Sequence, residues 1–174
     1  SPGGCWLEAH ASRALLVESG FNRLALYVHP CGGGAPDAPV VRFEGGMSLS
    51  HGRVPAVVTP GEPFSVNLQW TLDEQPTPAY AVFLHLADER GRPWAQSDGD
   101  PANGLRPFPQ FEPGEPVADC RAMLPPHETP PGRYTVLVGL DRRDTGQRLR
   151  VTNGPEAGRD AHTIGPVEVT PRPG

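Results

Sequence analysis

Apolar and polar residues alternate along most of this chain. From residue 64 to 70, Phe64, Val66, Leu68 and Trp70 share one parity while Ser65, Asn67 and Gln69 share the other, the period-two signature of a strand buried on one side. Tyr80, Val82, Leu84 and Leu86 repeat it. Tyr134, Val136, Val138 and Leu140 do so again after Pro130, Pro131 and Gly132, a turn in which proline fixes one backbone angle and glycine tolerates the reversal. Three strands buried on one side require a second sheet to cover them. The same reading places strands at 39–44, 47–51, 54–58, 63–71, 79–88, 92–97, 115–124, 132–141, 147–152 and 164–170, separated by turn residues. An all-β fold is predicted: an immunoglobulin-like antiparallel β-sandwich over residues 36–170.

Residues 1–35 read differently. Trp6, Leu7, His10, Ala14, Leu15 and Val17 recur at three- and four-residue intervals, which predicts a short amphipathic helix stopped by Gly20. Leu24, Leu26 and Val28 then alternate with Arg23, Ala25 and Tyr27, predicting a strand over 22–29. This helix-strand appendage ends at the loop running from Cys31 to Pro39, and residues 171–174 form a tail.

Composition narrows the possibilities. The 21 glycines and 23 prolines fall between apolar runs rather than replacing them, so they mark turns and not disorder. All 15 basic residues are arginine, which excludes a lysine nucleophile or Schiff base. A net charge of -5 argues against nucleic acid as a partner, because neutralising phosphates needs clustered positive charge. Arg142, Arg143, Arg148 and Arg150 come nearest to a cluster, but Asp141 and Asp144 dilute them into the ends of a solvated hairpin. No apolar run approaches the ~18 residues that suggest a bilayer span, so no transmembrane segment is expected in this chain.

Cys5 and Cys31 bracket the N-terminal segment. A bridge between them fits an oxidising compartment and leaves Cys120 over, buried in a strand; three reduced thiols in a cytosolic protein are the alternative. No CxxC or paired Cys/His spacing points to zinc.

Five segments carry a resemblance: FEGGMSL, VTPGEPFSVNLQW, YAVFLHLADERGRPWAQSDGDP, FEPGEPVADCRAMLP and PPGRYTVLVGLDRRDTGQRLRV. Together they look like the C-terminal extracytoplasmic β-sandwich that follows the membrane helices in bacterial membrane glycosyltransferases resembling the protein O-mannosyltransferase family, glycosyltransferase family 39. The opening WLEAHASRALLVESGFNRLALYVHP is similar to the segment leading into that sandwich, so the match covers residues 6 to 170. One departure is Phe111, where a tryptophan is expected before the PGE turn. The resemblance implies a non-catalytic accessory domain, outside the cytoplasmic membrane, whose partner is the membrane part of its own parent protein or a glycan acceptor. The catalytic acid of such enzymes is thought to lie in a loop of the membrane part, and no segment here corresponds to it.

The residues themselves offer no catalytic motif: GxSxG, HExxH, GxxxxGK[ST] and a strand-following GxGxxG are all absent. No cofactor is implied. His85, in FLHL on the same face as Phe83, reads as a structural donor more readily than as a base. Asp98 and Asp100, with Asn103 nearby, resemble the start of a calcium loop but lack its later bidentate glutamate; the alternative is aspartates accepting backbone N–H bonds in a proline-broken turn. As acid and base of a hydrolase, Asp98 and Asp100 are poorly spaced, since carboxylates two residues apart in a turn have no reason to stand ~5 to 9 Å apart. Asp119 is expected to pair with an arginine or an edge amide. Trp70 and Trp94 read as core. Phe108 and Phe111, three apart in the loop GLRPFPQFEPGE, either cap the open end of the sandwich or form a platform for a glycan or partner. The second possibility would make the chain a free-standing carbohydrate-binding module using loop 105–115.

Overall fold

The computed structural model describes residues 12–19, 22–28, 40–74, 79–101 and 107–171. Two compact units share the chain, Ser1–Gly33 and Gly34–Gly174. In the first, β1 (Ser12–Ser19) and β2 (Asn22–Val28) pair antiparallel from Ser12 opposite Val28 to Ser19 opposite Asn22, with a register shift between Arg13 and Leu15. The helix expected at the N-terminus is therefore a strand over residues 12–19; residues 6–11 lie outside the described part. The error has a physical source. The run Ala14–Val17 is apolar at every position, so it satisfies a period of two as well as one of 3.6.

The second unit is a β-sandwich. One sheet orders β5 (Val57–Val58), β11 (His162–Val169), β10 (Gly132–Arg142), β7 (Tyr80–Asp88) and β8 (Pro93–Gln96). The other orders β3 (Val41–Phe43), β4 (Met47–Arg53), β6 (Phe64–Leu72) and β9 (Val117–Met123). After β4 the chain changes sheets. Pro55 has no amide hydrogen to continue the ladder, and two residues on, β5 lies parallel to β11, with Val57 opposite Glu168 and Val58 opposite Val169. The other described strand pairs are antiparallel.

The alternating residues meet between the sheets. Val66, Leu68, Trp70 and Leu72 of β6 face Tyr80, Val82, Leu84 and Leu86 of β7 and Tyr134, Val136, Val138 and Leu140 of β10 across one hydrophobic core, every one of them buried. Burying each such side chain stabilises the fold by about 1.5–3 kcal/mol. Tyr134 fixes one corner: its hydroxyl donates to the carbonyl of Pro130 at 2.8 Å, the tyrosine corner seen in immunoglobulin-type sandwiches.

Residues 147–152, expected as a strand, bridge the sheets instead. Leu149 donates its amide to Leu140 of β10, while Thr152 donates to Arg42 of β3 and Glu44 donates to Arg150. The segment is too short to extend either ladder, but Leu149 and Val151 still reach the core.

Candidate functional site

The inward face of β9 carries Val117, Asp119, Arg121 and Met123. Two of these four are charged, and both are buried: the Arg121 side chain is 1% exposed and that of Asp119 0%. Arg121 Nε lies 3.1 and 2.9 Å from the two oxygens of Asp119, and the Trp70 indole N–H donates to Asp119 Oδ2 at 3.3 Å. The rest of the guanidinium crosses to the other sheet. It donates to the carbonyls of Ser97, Gly99 and Asp100 at 3.0, 2.9 and 2.9 Å, pinning the segment that follows β8. A buried charge is tolerable only when paired and hydrogen-bonded, and this one is both. Asp119 thus pairs with an arginine, as its sequence setting suggested.

Around this pair lies an aromatic cluster. Trp70 packs 5.9 Å from Phe43 and edge-on 6.0 Å from Phe108, which in turn meets Phe111 at 6.1 Å. Phe108 opens a single 3-10 turn, Phe108–Gln110, entered from Pro107. Phe108 is 0% and Phe111 1% exposed. Neither ring offers an exposed face to a sugar: Phe108 packs against Trp70 and Phe111 against Phe108, where burial outweighs leaving them in water. The capping alternative is the one observed.

Asp98 and Asp100 do not converge on a cation. Asp98 accepts the Leu84 amide at 3.0 Å and approaches His85 Nε2 at 3.3 Å, while Asp100 turns to Arg143 at 2.6 Å. Asn103 lies outside the described residues, among which no group of three or more His, Cys, Asp or Glu side chains is placed to hold a metal. His85 also packs against Phe83, ring centres 5.2 Å apart, so its contacts are those of a structural residue. Cys120, half-buried on β9, is disulfide-bonded, whereas the sequence reading left it over; Cys5 and Cys31 lie outside the described residues.

Among the recesses lined by described residues, two exceed 500 Å³. The first, about 600 Å³, opens over the outer face of β10 and β11 and is lined by Arg148, Arg150, Arg159, Asp160 and Thr163 among others. Its charges largely answer one another. Arg148 stacks 4.1 Å over Phe83 and reaches Asp141 at 3.7 Å and Asp160 at 3.4 Å, and Arg159 reaches Glu156 at 3.4 Å. Burial and the neighbouring carboxylates of Asp98 and Asp160 raise Asp141 above the usual carboxylate range despite Arg148.

The second recess, about 540 Å³, sits at one end of the sandwich between the β7–β8 turn and the turn before β10. It is lined by Asp88, Glu89, Arg90, Arg92 and Trp94 on one side and Pro130 to Tyr134 on the other. Asp88 organises it, accepting the amides of Arg90 at 2.9 Å and Arg92 at 3.0 Å and the Trp94 indole N–H at 3.1 Å. The hydrogen bond from Trp94, followed by that from the Arg92 amide, holds Asp88 below its ordinary pKa. Arg92 lies 4.5 Å over the Trp94 ring. Sequence reasoning missed this site because its arginines come from two turns forty residues apart. The available signal was the density of arginine beside turn formers in ERGRPW and PPGRY.

Among the described residues no helix is long and apolar enough to cross a membrane. The class defined by fold and site is an immunoglobulin-like β-sandwich with surface recesses and a charged pair in its core. No family model matches the chain, and no curated protein matches it. Among solved structures it is similar to an alkylpurine DNA glycosylase of Pseudomonas fluorescens bound to DNA containing an abasic site analog, at 17% identity over 71% of this chain and 30% of that one, TM-score 0.42. A CARDB domain from Pyrococcus furiosus in complex with di-metal ions matches at 15% identity over 68% of this chain and 87% of that one, TM-score 0.40. A β-glucosidase from Listeria innocua in complex with isofagomine matches at 16% identity over 74% of this chain and 16% of that one, TM-score 0.41. Likenesses this distant carry no functional assignment.

Proposed function

We propose that this chain is a non-catalytic accessory β-sandwich domain of a membrane-bound glycosyltransferase-like protein, working outside the cytoplasmic membrane against the membrane part of its parent or a glycan acceptor. The observation that carries this reading is where the chemically capable side chains are engaged. Asp119 and Arg121 lock β9 to the segment after β8, Asp98 holds the Leu84 amide, and Phe108 fills the core. These groups maintain a scaffold. A disulfide at Cys120 suits an oxidising compartment, and the five segments that carry the family resemblance supply strands β3 to β10 of the sandwich.

Tagging the chromosomal gene and fractionating the cells tests the proposal. The tagged product is expected in the membrane fraction, at a mass well above that of this chain, and cleaved by protease added to intact spheroplasts. A tagged product that is soluble, cytoplasmic and protected from external protease would sink it.

A further inference from the structure

The two recesses differ in how their arginines are answered. In the larger, Arg148 and Arg159 face carboxylates. In the smaller, Arg90, Arg92 and Arg133 are exposed, and none of the three forms an ion pair among the described residues. Elsewhere Arg121, Arg142, Arg143, Arg148 and Arg159 each meet a carboxylate and Arg150 of the larger recess donates to the Gly158 carbonyl, whereas three guanidiniums without an ion pair among the described residues gather around this one concavity. From these observations we infer that the recess between residues 88–94 and 130–134 binds an anionic saccharide, a sugar carrying a carboxylate or a phosphate, with the oxyanion held by Arg90, Arg92 and Arg133.

Guanidinium groups present paired N–H donors that match carboxylate and phosphate oxygens two at a time. Here the turns that carry them are set in place before any ligand arrives, and the Arg92 guanidinium with them. Asp88 fixes the backbone that carries Arg90 and Arg92 and orients Trp94, and the Trp94 ring supports the Arg92 plane. On the opposite wall, the Tyr134 hydroxyl holds Pro130, and with it the turn leading to Arg133. Preorganisation of this kind lowers the cost of binding. Asp88 is engaged by those amides and the indole and acts on the Arg90 guanidinium only through space, without an ion pair.

Size and lining identify the body that accompanies the anion. A recess of about 540 Å³ falls in the range of small-molecule sites and is far larger than a bare phosphate. Pro130 and Pro131 give exposed C–H surface against which a pyranose ring can lie, and the Glu89 carboxylate at the rim is placed to accept hydrogen bonds from sugar hydroxyls while repelling a second anion. This inference does not depend on the accessory-domain reading and holds or fails separately from it.

The test is a titration of the full chain, following the Trp94 indole N–H by NMR, with glucuronate, glucose 1-phosphate, glucose and inorganic phosphate as probes. Saturable shifts with glucuronate or glucose 1-phosphate are expected, weakening as salt is raised, and whichever anion binds tighter identifies the source as a uronic acid or a phosphosugar. Glucose and inorganic phosphate should each bind about tenfold more weakly or less, since each lacks one half of the ligand. Arg133→Gln and Arg92→Gln should each weaken binding about tenfold, Glu89→Gln should tighten it, and Arg150→Gln in the other recess should leave it unchanged. Arg133 has no side-chain partner among the described residues, so its variant stays informative if Arg92→Gln loosens the turn. No saturable shift with either sugar anion overturns the inference. So does glucose or inorganic phosphate binding as tightly as the sugar anions, or Arg133→Gln binding like the parent chain.

Discussion

Replacing Arg121 with methionine removes the positive half of a pair that is almost wholly buried while keeping much of the side chain's apolar bulk. Asp119, at 0% side-chain exposure, would then lose the guanidinium that both of its oxygens meet. Removing one member of a buried pair costs about 3–5 kcal/mol, most of it from stranding the other charge. The carbonyls of Ser97, Gly99 and Asp100 lose their donors as well, but these residues are only partly buried and water can replace part of that loss. The expected loss is therefore about 4 kcal/mol, which in a domain of this size lowers the melting temperature by roughly 8–16 °C. Urea unfolding of the parent chain, Arg121→Met, Asp119→Leu and the double variant completes a cycle. The double variant should recover most of the stability lost in either single one, because an apolar pair of similar volume often replaces a buried ion pair at little cost. A loss below about 1 kcal/mol in Arg121→Met, or a double variant as unstable as the sum of the singles, would refute the account of β9 as an electrostatic staple.

Two further outcomes can be measured on the same material. Phe108→Ala should cost about 3–5 kcal/mol by opening a cavity beside Trp70, and a scan showing unchanged urea stability would mean the 3-10 turn does not dock on the core. Asp141→Asn should raise the melting temperature at neutral pH. Burial first, then the carboxylates of Asp98 and Asp160, raise the folded pKa of Asp141, so the folded state favours the protonated acid. The parent chain's deficit relative to the variant should be present at neutral pH and disappear as pH falls below the ordinary value of 3.8; a variant less stable than the parent at neutral pH would contradict this.

Parity was readable where one side of a strand is apolar. Val66 to Leu72 and Tyr134 to Leu140 point inward as their alternation requires. In VADCRAM the same parity puts Asp119 and Arg121 inside with Val117 and Met123, yet only the structure supplies the Ser97–Asp100 carbonyls that make the pair tolerable. The 14–17 run failed for the opposite reason, because uniform apolarity carries no period. Burial of Phe108 and Phe111 was equally illegible, since in an aperiodic loop it depends on where Trp70 stands. The arginine recess joins two turns, and no local pattern records that they share one end of the sandwich.

The change of sheets at Pro55 has a mechanical meaning. Because β5 runs parallel to β11, tension that reaches β5 through Val54 and β11 through Pro171 draws the two strands past each other along their length. Their hydrogen bonds, from the Glu168 amide to Ala56 and from the Thr170 amide to Val58, are then loaded together in shear instead of being unzipped one after another. Tension of that kind would be resisted by both bonds of this short seam at once, and lengthening or deleting β5 would set the force at which the seam yields.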